Sequence, residues 1–260
     1  MKKKSFFLIV LMALCLNSYA QYQENIDSGR PGNAISVFTV GKNIGQIETG
    51  LSFSNNDQSY TSSTFLRFGI TERIEINGGG SYLFNETDLY TPGVTSFNLG
   101  AKFNIFEGDN MMPSTAFLAS VTVPSDKFET DKAFSTFLFI LNYSLNERLS
   151  YTLNFGVNVD LEKSIITETD SEGNEEESEI TYFEGIYTFN LSYAINDKWS
   201  TFLEAYGGFN RYVFPKIAVS MNAGFSYLVN KDFQLDFLAG HGVNTNEYLT
   251  LSTGISWRIN

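Results

Sequence analysis

Three stretches of this sequence carry residue types that can do chemistry on a ligand. The only histidine is His241, in GHGVN, and Ser252 and Ser256 follow it closely. A histidine beside a serine is the residue pair of a hydrolase, in which the base activates the hydroxyl group. The alternation of apolar and polar residues, however, turns His241 to one face of the chain and both serines to the other. We therefore predict no catalytic residue and no enzyme.

The second stretch is EKSIITETDSEGNEEESEI, residues 162–180, which carries eight carboxylates against one lysine. A calcium loop needs acidic ligands at fixed spacing and a closing glutamate, and this run is too irregular for one. We predict a solvated external loop, with a diffuse site for divalent cations or lipopolysaccharide as the alternative.

The third stretch, GGGS at 78–81, lies within an alternating segment and is no phosphate loop. No metal site and no cofactor is predicted.

The N-terminus has the pattern of an export signal. Three lysines at 2–4 precede an apolar run at 6–16, and Ser18-Tyr19-Ala20 makes a cleavage site before Gln21. Removing residues 1–20 leaves 14 basic residues against 29 acidic ones, a net charge of −15, and no cysteine. Nucleic acid is therefore excluded as a partner, because phosphate binding needs clustered Lys and Arg.

The chain segments that would position these residues alternate between apolar and polar residues, with a period of two. In LNYSLNERLSYTLNFGVNVDL, residues 141–161, apolar residues occupy odd positions and small polar ones occupy even positions on both sides of Asn146-Glu147-Arg148. A period of two is the pattern of extended strands. We predict a hairpin here, with Tyr143 opposite Tyr151 and Phe139 opposite Phe155.

Twelve such segments occur between residues 45 and 260. Short polar turns (TER, NER, NDK and NKD) alternate with longer loops, except for a longer connection at 106–113. A soluble sandwich would carry many charges on its polar face, whereas this face is mostly Ser, Thr, Asn and Gly. The sequence predicts an all-β fold, a transmembrane antiparallel up-and-down β-barrel of about 12 strands. Residues 21–44 are predicted to form a periplasmic or plug-like segment before it.

Charged residues that occupy the same alternating positions as the small polar residues are predicted to face the barrel interior. Because charge in a narrow interior is costly unless it is compensated, these residues either pair with one another or select a solute. Strand closure would bring Glu48 near Arg258, and we expect those two to pair. The candidates are Glu48, Arg67, Glu75, Lys102, Glu204, Asp236 and Arg258, with Asp160 and Glu184 in the same register.

Two stretches, SGRPGNAISVFTVGKNIGQIETGLSF and FLRFGITERIEINGGG, resemble a family of outer-membrane transporters of the "MetA-pathway of phenol degradation" type. The matching residues include Arg30, Gly32, Glu48, Arg67 and Glu75, and FLEAYG with Glu204 and FQLDFLAGHG with Asp236 are also similar. The resemblance implies a passive transporter of small, often aromatic or hydrophobic molecules in the outer membrane of a Gram-negative bacterium.

The expected partners are outer-membrane lipid, lipopolysaccharide, an unidentified small solute and, during biogenesis, the outer-membrane insertion machinery. Two other functions stay open at this point. The first is a structural or surface-interaction barrel with no open pore, and the second is an outer-membrane lipid hydrolase.

Overall fold

The computed structural model describes residues 23–88, 90–109, 112–125, 132–169, 175–210, 217–246 and 249–259. The predicted signal sequence lies outside this range. Fourteen strands occur among the described residues. They are β1 Gly45–Ser54, β2 Ser59–Gly69, β3 Ile74–Leu83, β4 Gly93–Phe106, β5 Ser114–Pro124, β6 Phe134–Ser144, β7 Leu149–Asp160, β8 Ser164–Thr169, β9 Glu175–Ile180, β10 Phe183–Ala194, β11 Trp199–Phe209, β12 Ser220–Asn230, β13 Phe233–Gly242 and β14 Thr250–Ile259.

Twelve of these strands close into one antiparallel barrel. Each pairs with its neighbour along the chain, and β1 pairs with β14 to close the ring. The predicted twelve-stranded up-and-down barrel is confirmed. The remaining two strands, β8 and β9, pair only with each other. The acidic stretch was expected to be a loop, whereas its described parts form a two-stranded ribbon, because the β-branched Ile and Thr residues of SIITET favour an extended chain.

The hairpin of β6 and β7 has the predicted register. Tyr143 pairs with Tyr151 and Phe139 with Phe155, with ring centroids 5.9 and 5.3 Å apart. In its turn, the side-chain oxygen of Asn146 accepts hydrogen bonds from the backbone N–H groups two and three residues further on. This self-bonding is the reason why asparagine favours turns.

The apolar side chains point away from the centre of the barrel. Among the described residues, buried polar and charged side chains outnumber buried apolar ones, 21 to nine, whereas Leu99 is 71% exposed and Phe97 60% exposed. A water-soluble protein has the opposite distribution. The outer face is therefore built for contact with lipid and the inner face for contact with polar groups.

The part of the chain that the structure describes contains no helix long and apolar enough to cross a membrane. Aromatic rings lie near the short-turn ends of the strands, where Trp199 and Tyr227 pack with centroids 4.7 Å apart. Such rings suit the boundary between lipid and water.

Candidate functional site

Residues 23–44, called here the N-terminal segment, run through the barrel interior. Their hydrogen-bond partners lie on β1, β4, β7, β11 and β13, which are spread around the closed wall. The side chain of Val37 is fully buried and that of Val40 nearly so. The candidate site is the interface between this segment and the wall.

Glu204 on β11 binds the middle of the segment. Its Oε1 accepts hydrogen bonds from the backbone N–H of Asn33 (2.8 Å) and from Asn222 (3.0 Å). Its Oε2 accepts from the N–H of Ala34 (2.9 Å) and from Asn190 (3.2 Å). All four donors are uncharged, and four such bonds to one carboxylate stabilise its charge in a fully buried position.

Arg67 on β2 uses all five of its N–H donors inside the barrel. Nε and Nη2 donate to Glu75 at 3.0 and 2.9 Å, and Nη1 donates to Glu48 at 3.1 Å. The other two bonds reach the carbonyl oxygens of Asp27 (2.7 Å) and Phe38 (3.1 Å). A guanidinium group has five donors in a fixed plane, so this geometry fixes two carboxylates and two points of the segment at once.

Both carboxylates that bind Arg67 also accept a hydrogen bond from the segment. Oε2 of Glu48 accepts one from the N–H of Gly29 at 3.1 Å, and Oε2 of Glu75 accepts one from the N–H of Val40 at 3.0 Å. The wall therefore binds N–H groups with carboxylates and C=O groups with cations.

Lys102 on β4 follows the same rule. Its Nζ donates to the carbonyl oxygens of Ser36 (3.1 Å) and Phe38 (2.5 Å) and lies 3.6 Å from Oε1 of Glu75. The ammonium group is buried, so these oxygens replace the water that would otherwise solvate it.

Two asparagines extend the pattern with uncharged groups. Oδ1 of Asn154 accepts from the N–H of Ile35 at 2.6 Å, and its Nδ2 donates to the carbonyl of the same residue at 3.0 Å. Nδ2 of Asn104 donates to the carbonyl of Val37 at 3.3 Å. An amide side chain that bonds both groups of one residue imitates a neighbouring β-strand.

Asp236 on β13 binds the one arginine of the segment. Nε and Nη2 of Arg30 donate to its two oxygens at 3.2 and 3.1 Å, and Nη2 also donates to Ser252 at 3.1 Å. The guanidinium lies against the glycines of the β1–β14 seam. A Cβ atom on Gly50 or Gly254 would come within 2.2 or 2.4 Å of it, so these two glycines make room for Arg30.

Arg258 on β14 binds the beginning of the segment. It donates to the carbonyl oxygens of residues 23 and 24 at 2.8 and 2.7 Å, and it pairs with Asp232 at 2.7 Å. The expected pair of Arg258 with Glu48 is wrong. Gln46 lies opposite both Arg258 and Arg67, so both arginines are two residues out of register with Glu48. Glu48 pairs with Arg67 on β2, whereas Arg258 is bound by Asp232 and by the start of the segment.

Asp27 is the buried carboxylate of the segment itself. Burial raises the pKa of its carboxyl group, against the opposing effects of nearby Arg67, of a hydrogen bond with the side chain of Ser36 and of Lys102, while Glu48 acts in the same direction as burial. Its Oδ2 has no hydrogen-bond partner among the described residues. Because a raised pKa favours the protonated form in the lumen, lowering the pH should strengthen binding of the segment, and raising it through that pKa should weaken binding.

We expect a maleimide to label an Ala34→Cys chain more slowly below the raised pKa of Asp27 than above it, after correction for the intrinsic reactivity of a thiol. The Asp27→Asn change removes the titrating group and should abolish most of that difference. An unchanged ratio in the Asp27→Asn chain would assign the pH dependence to another group.

An apolar cluster closes part of the lumen. Val37 of the segment packs among side chains of β5 and β6, with Ile35 and Phe38 beside it. The wall residues of the cluster are Ala116, Leu118, Leu138 and Ile140, with Ile186 on β10. This contact fills the lumen beside β5 and β6 with apolar side chains from both the wall and the segment.

A cavity of about 720 Å³ lies beside the segment, between it and the wall around β6, β7, β10, β11 and β12. Its lining is rich in hydroxyl and amide groups and contains the rings of Phe202 on the wall and of Phe38 on the segment. The charged residues along its border are Asp27, Arg30, Glu107 and Asp109, the last two in the long connection at 106–113. This cavity offers hydrogen bonds without a strong positive field.

All seven candidate charges are buried, and each of them contacts the N-terminal segment. Their part in selecting a solute stays a prediction. The sequence reasoning missed Asn154, Ser256 and the role of Arg30 as contacts of this segment. The stretch between the predicted export signal and the first strand is polar, contains several glycines and has one arginine. This composition could have indicated that the segment binds inside the barrel.

His241 and the two serines of the hydrolase hypothesis lie apart. The histidine is exposed on β13, while both serines are buried. Oγ of Ser256 lies 2.6 Å from Oγ of Ser28, and Oγ of Ser252 accepts from Arg30. The serines are therefore contacts of the segment. No group of three metal-ligating side chains occurs among the described residues.

A closed barrel with an apolar exterior and a polar interior is an outer-membrane β-barrel, and its similarity to solved structures supports that class. The chain belongs to the family described as "Putative MetA-pathway of phenol degradation", whose model matches residues 28–259. The family suggested by its resemblance is thereby confirmed. Among curated proteins, no sequence matches this chain.

Three solved structures illustrate the shared fold. An outer-membrane channel from Pseudomonas putida F1 is 11% identical with a TM-score of 0.62, over 90% of this chain and 100% of that one. The NanC porin is 10% identical with a TM-score of 0.59, over 82% and 100%. The KdgM porin is 9% identical with a TM-score of 0.55, over 83% and 99%. At these identities the likeness concerns the fold.

Proposed function

We propose that this protein is a narrow passive channel for small uncharged solutes, and that the N-terminal segment keeps it closed until it shifts. The cavity beside the segment carries the proposal. It has room for a solute of modest size, and hydroxyl and amide groups line it. Those groups can replace the water around an uncharged polar molecule without imposing a charge requirement.

The ring of Phe202 adds an apolar surface to this lining. A phenol has both an aromatic ring and a hydroxyl group, and it therefore matches the chemistry of the cavity. Anions do not, because three carboxylates border the cavity against one arginine, and that arginine is paired with Asp236.

The apolar cluster around Val37 supports a closed resting state. The cluster includes the segment itself, so displacement of the segment would widen the space beside β5 and β6 that a solute could use. The segment is held by hydrogen bonds and packing, so it can move without breaking a covalent bond. Transport therefore depends on how often the segment leaves its place.

Gly32→Ala should open the channel. A Cβ atom at Gly32 would lie 2.6 Å from Oε2 of Glu204, whose carboxylate is held by two asparagines and cannot retreat. Overpacking of about 1–2 kcal/mol would raise the open fraction roughly tenfold. Flux of phenol and of neutral sugars into proteoliposomes measures this, with single-channel recording in planar bilayers.

Gly29→Ala is the matched control. The Cβ atom there would lie 3.4 Å from Glu48, which is an ordinary contact, so flux should stay at the level of the unaltered protein. Equal flux in both variants would remove the gating role of the segment. No flux of any solute in either variant, with the barrel correctly folded, would favour a structural barrel without a pore.

The comparisons with porins and channels support a role other than catalysis. The separation of His241 from the buried serines also argues against a serine hydrolase. Phospholipid hydrolysis should therefore be the same for the unaltered protein and for a His241→Ala variant.

A further inference from the structure

The wall recognises the main chain of the N-terminal segment far more than its side chains. Wall side chains bond backbone N–H or C=O groups at twelve residues of the segment between positions 23 and 40. Every peptide carries these groups, whatever its sequence. A site of this kind therefore accepts a peptide main chain first and a particular sequence second.

Side chains decide the fit at three positions. Arg30 occupies the space above the two glycines of the β1–β14 seam and pairs with Asp236. Gly32 lies against the Glu204 carboxylate, where a Cβ atom has no room. Val37 is fully buried in the apolar cluster. The site therefore favours the pattern Arg-Xaa-Gly followed, five residues later, by an apolar residue.

The segment begins at the rim that carries the short turns. Residues 23 and 24 are held there by Arg258, and the N–H of Ile26 donates to the carbonyl of Lys231 in the β12–β13 turn at 2.7 Å. In an outer-membrane barrel the short turns face the periplasm. A free peptide would thus meet the same contacts on coming from the periplasmic side.

We propose that the lumen is a peptide-binding site and that the N-terminal segment is its resident ligand. A separate peptide with the pattern Arg-Xaa-Gly-Xaa₄-apolar binds in its place, with the path that the segment now follows, when the resident segment is displaced. The ligand class is a periplasmic oligopeptide, recognised through its backbone by the carboxylates, cations and asparagines that now bind the segment. This binding is a second activity, separate from the flux of small solutes.

The test uses the full chain with two changes in the segment, Arg30→Ala and Gly32→Ala. These weaken the resident ligand and leave every wall residue in place. The probe is a fluorescent peptide with the sequence of residues 23–42, titrated in detergent and followed by anisotropy. Because a tethered segment has an effective concentration of about 1 mM, the peptide should bind the unaltered protein at least about 100-fold more weakly than the variant.

Two further peptides separate backbone recognition from sequence recognition. A scrambled peptide that keeps Arg30, Gly32 and Val37 in place should bind within about tenfold of the native peptide, because the backbone contacts survive. Methylation of the amide nitrogens of Asn33 and Ala34 removes the donors to Glu204 and should weaken binding about 100-fold, since each bond to a charged group is strong.

The proposal is overturned if the double variant, shown to be folded by its heat-modifiable electrophoretic mobility, does not bind the native peptide. It is also overturned if scrambling weakens binding as much as methylation does, because recognition would then depend on sequence. Adding Glu204→Gln to the double variant provides a wall-side check and should weaken binding, by no more than the methylation does, because glutamine keeps one acceptor oxygen. The readout is binding in detergent, so a failure of solute flux in liposomes leaves it intact.

Discussion

Arg67→Met is expected to lower the free energy of unfolding by about 3–5 kcal/mol, because it removes the cation that pairs with buried Glu48 and leaves buried Glu75 with only Lys102, at 3.6 Å. Arg67 is the partner of both Glu48 and Glu75 in the interior, at 3.1 and 2.9 Å, and its side chain is 4% exposed. Methionine fills a similar volume but offers no donor. Urea titration of the protein folded into lipid vesicles measures the change.

A second substitution shows whether charge is the cause. Glu48→Gln removes the carboxylate that Arg67→Met leaves without its cation, so the double variant should be more stable than the sum of the single effects implies. Strict additivity would show that Arg67 acts through packing alone. The exposed pair of Lys163 and Glu179, at 2.8 Å, is the control, and Lys163→Met should have no measurable effect.

Leu99→Arg is expected to destabilise the inserted barrel by about 2–4 kcal/mol, the effect of a charge on the lipid face near the bilayer midplane. Leu99 lies halfway along β4 and is 71% exposed on the outer surface. Folding into lipid vesicles in urea, followed by electrophoretic mobility, measures this loss. In detergent micelles, which deform around a charge, the effect should be smaller.

The matched control is the neighbouring residue on the other face. Asn98 points into the lumen, where it donates to Thr122 at 3.0 Å. Asn98→Arg places the same charge at the same depth in contact with water, and it should change stability far less than Leu99→Arg. If the two variants were equally unstable, the assignment of outer and inner faces on β4 would be wrong.

The alternation of side chains was enough to determine the barrel. Strands have a period of two, so the odd positions of residues 141–161 share one face in every fold that keeps them extended. The short turns then set the register, and Tyr143 meets Tyr151 as a local consequence. Strand alternation and turn type depend only on residues that are close together in the chain, so the sequence is sufficient to predict them.

The pairing of the interior charges could not be predicted from the sequence in the same way. The alternation of side chains places Glu48 and Arg258 inside the barrel. Which cation pairs with which carboxylate depends on the stagger between strands and on the other groups in the lumen. Glu48 meets Arg67 on β2, and Arg258 binds Asp232 and the start of the segment. Gln46 lies opposite both arginines, so the register alone does not choose between them, and the other groups that bind Arg258 decide the pairing.

The sequence by itself determined that this protein is a lipid-facing barrel with a polar interior, because strand periodicity and turn composition are local. Only the tertiary structure decided what the interior holds. Residues 23–44 have no periodicity, and they are ordered by contacts with strands up to 235 positions away in the chain. Such contacts are set by the closed shape of the wall and not by any pattern within the segment.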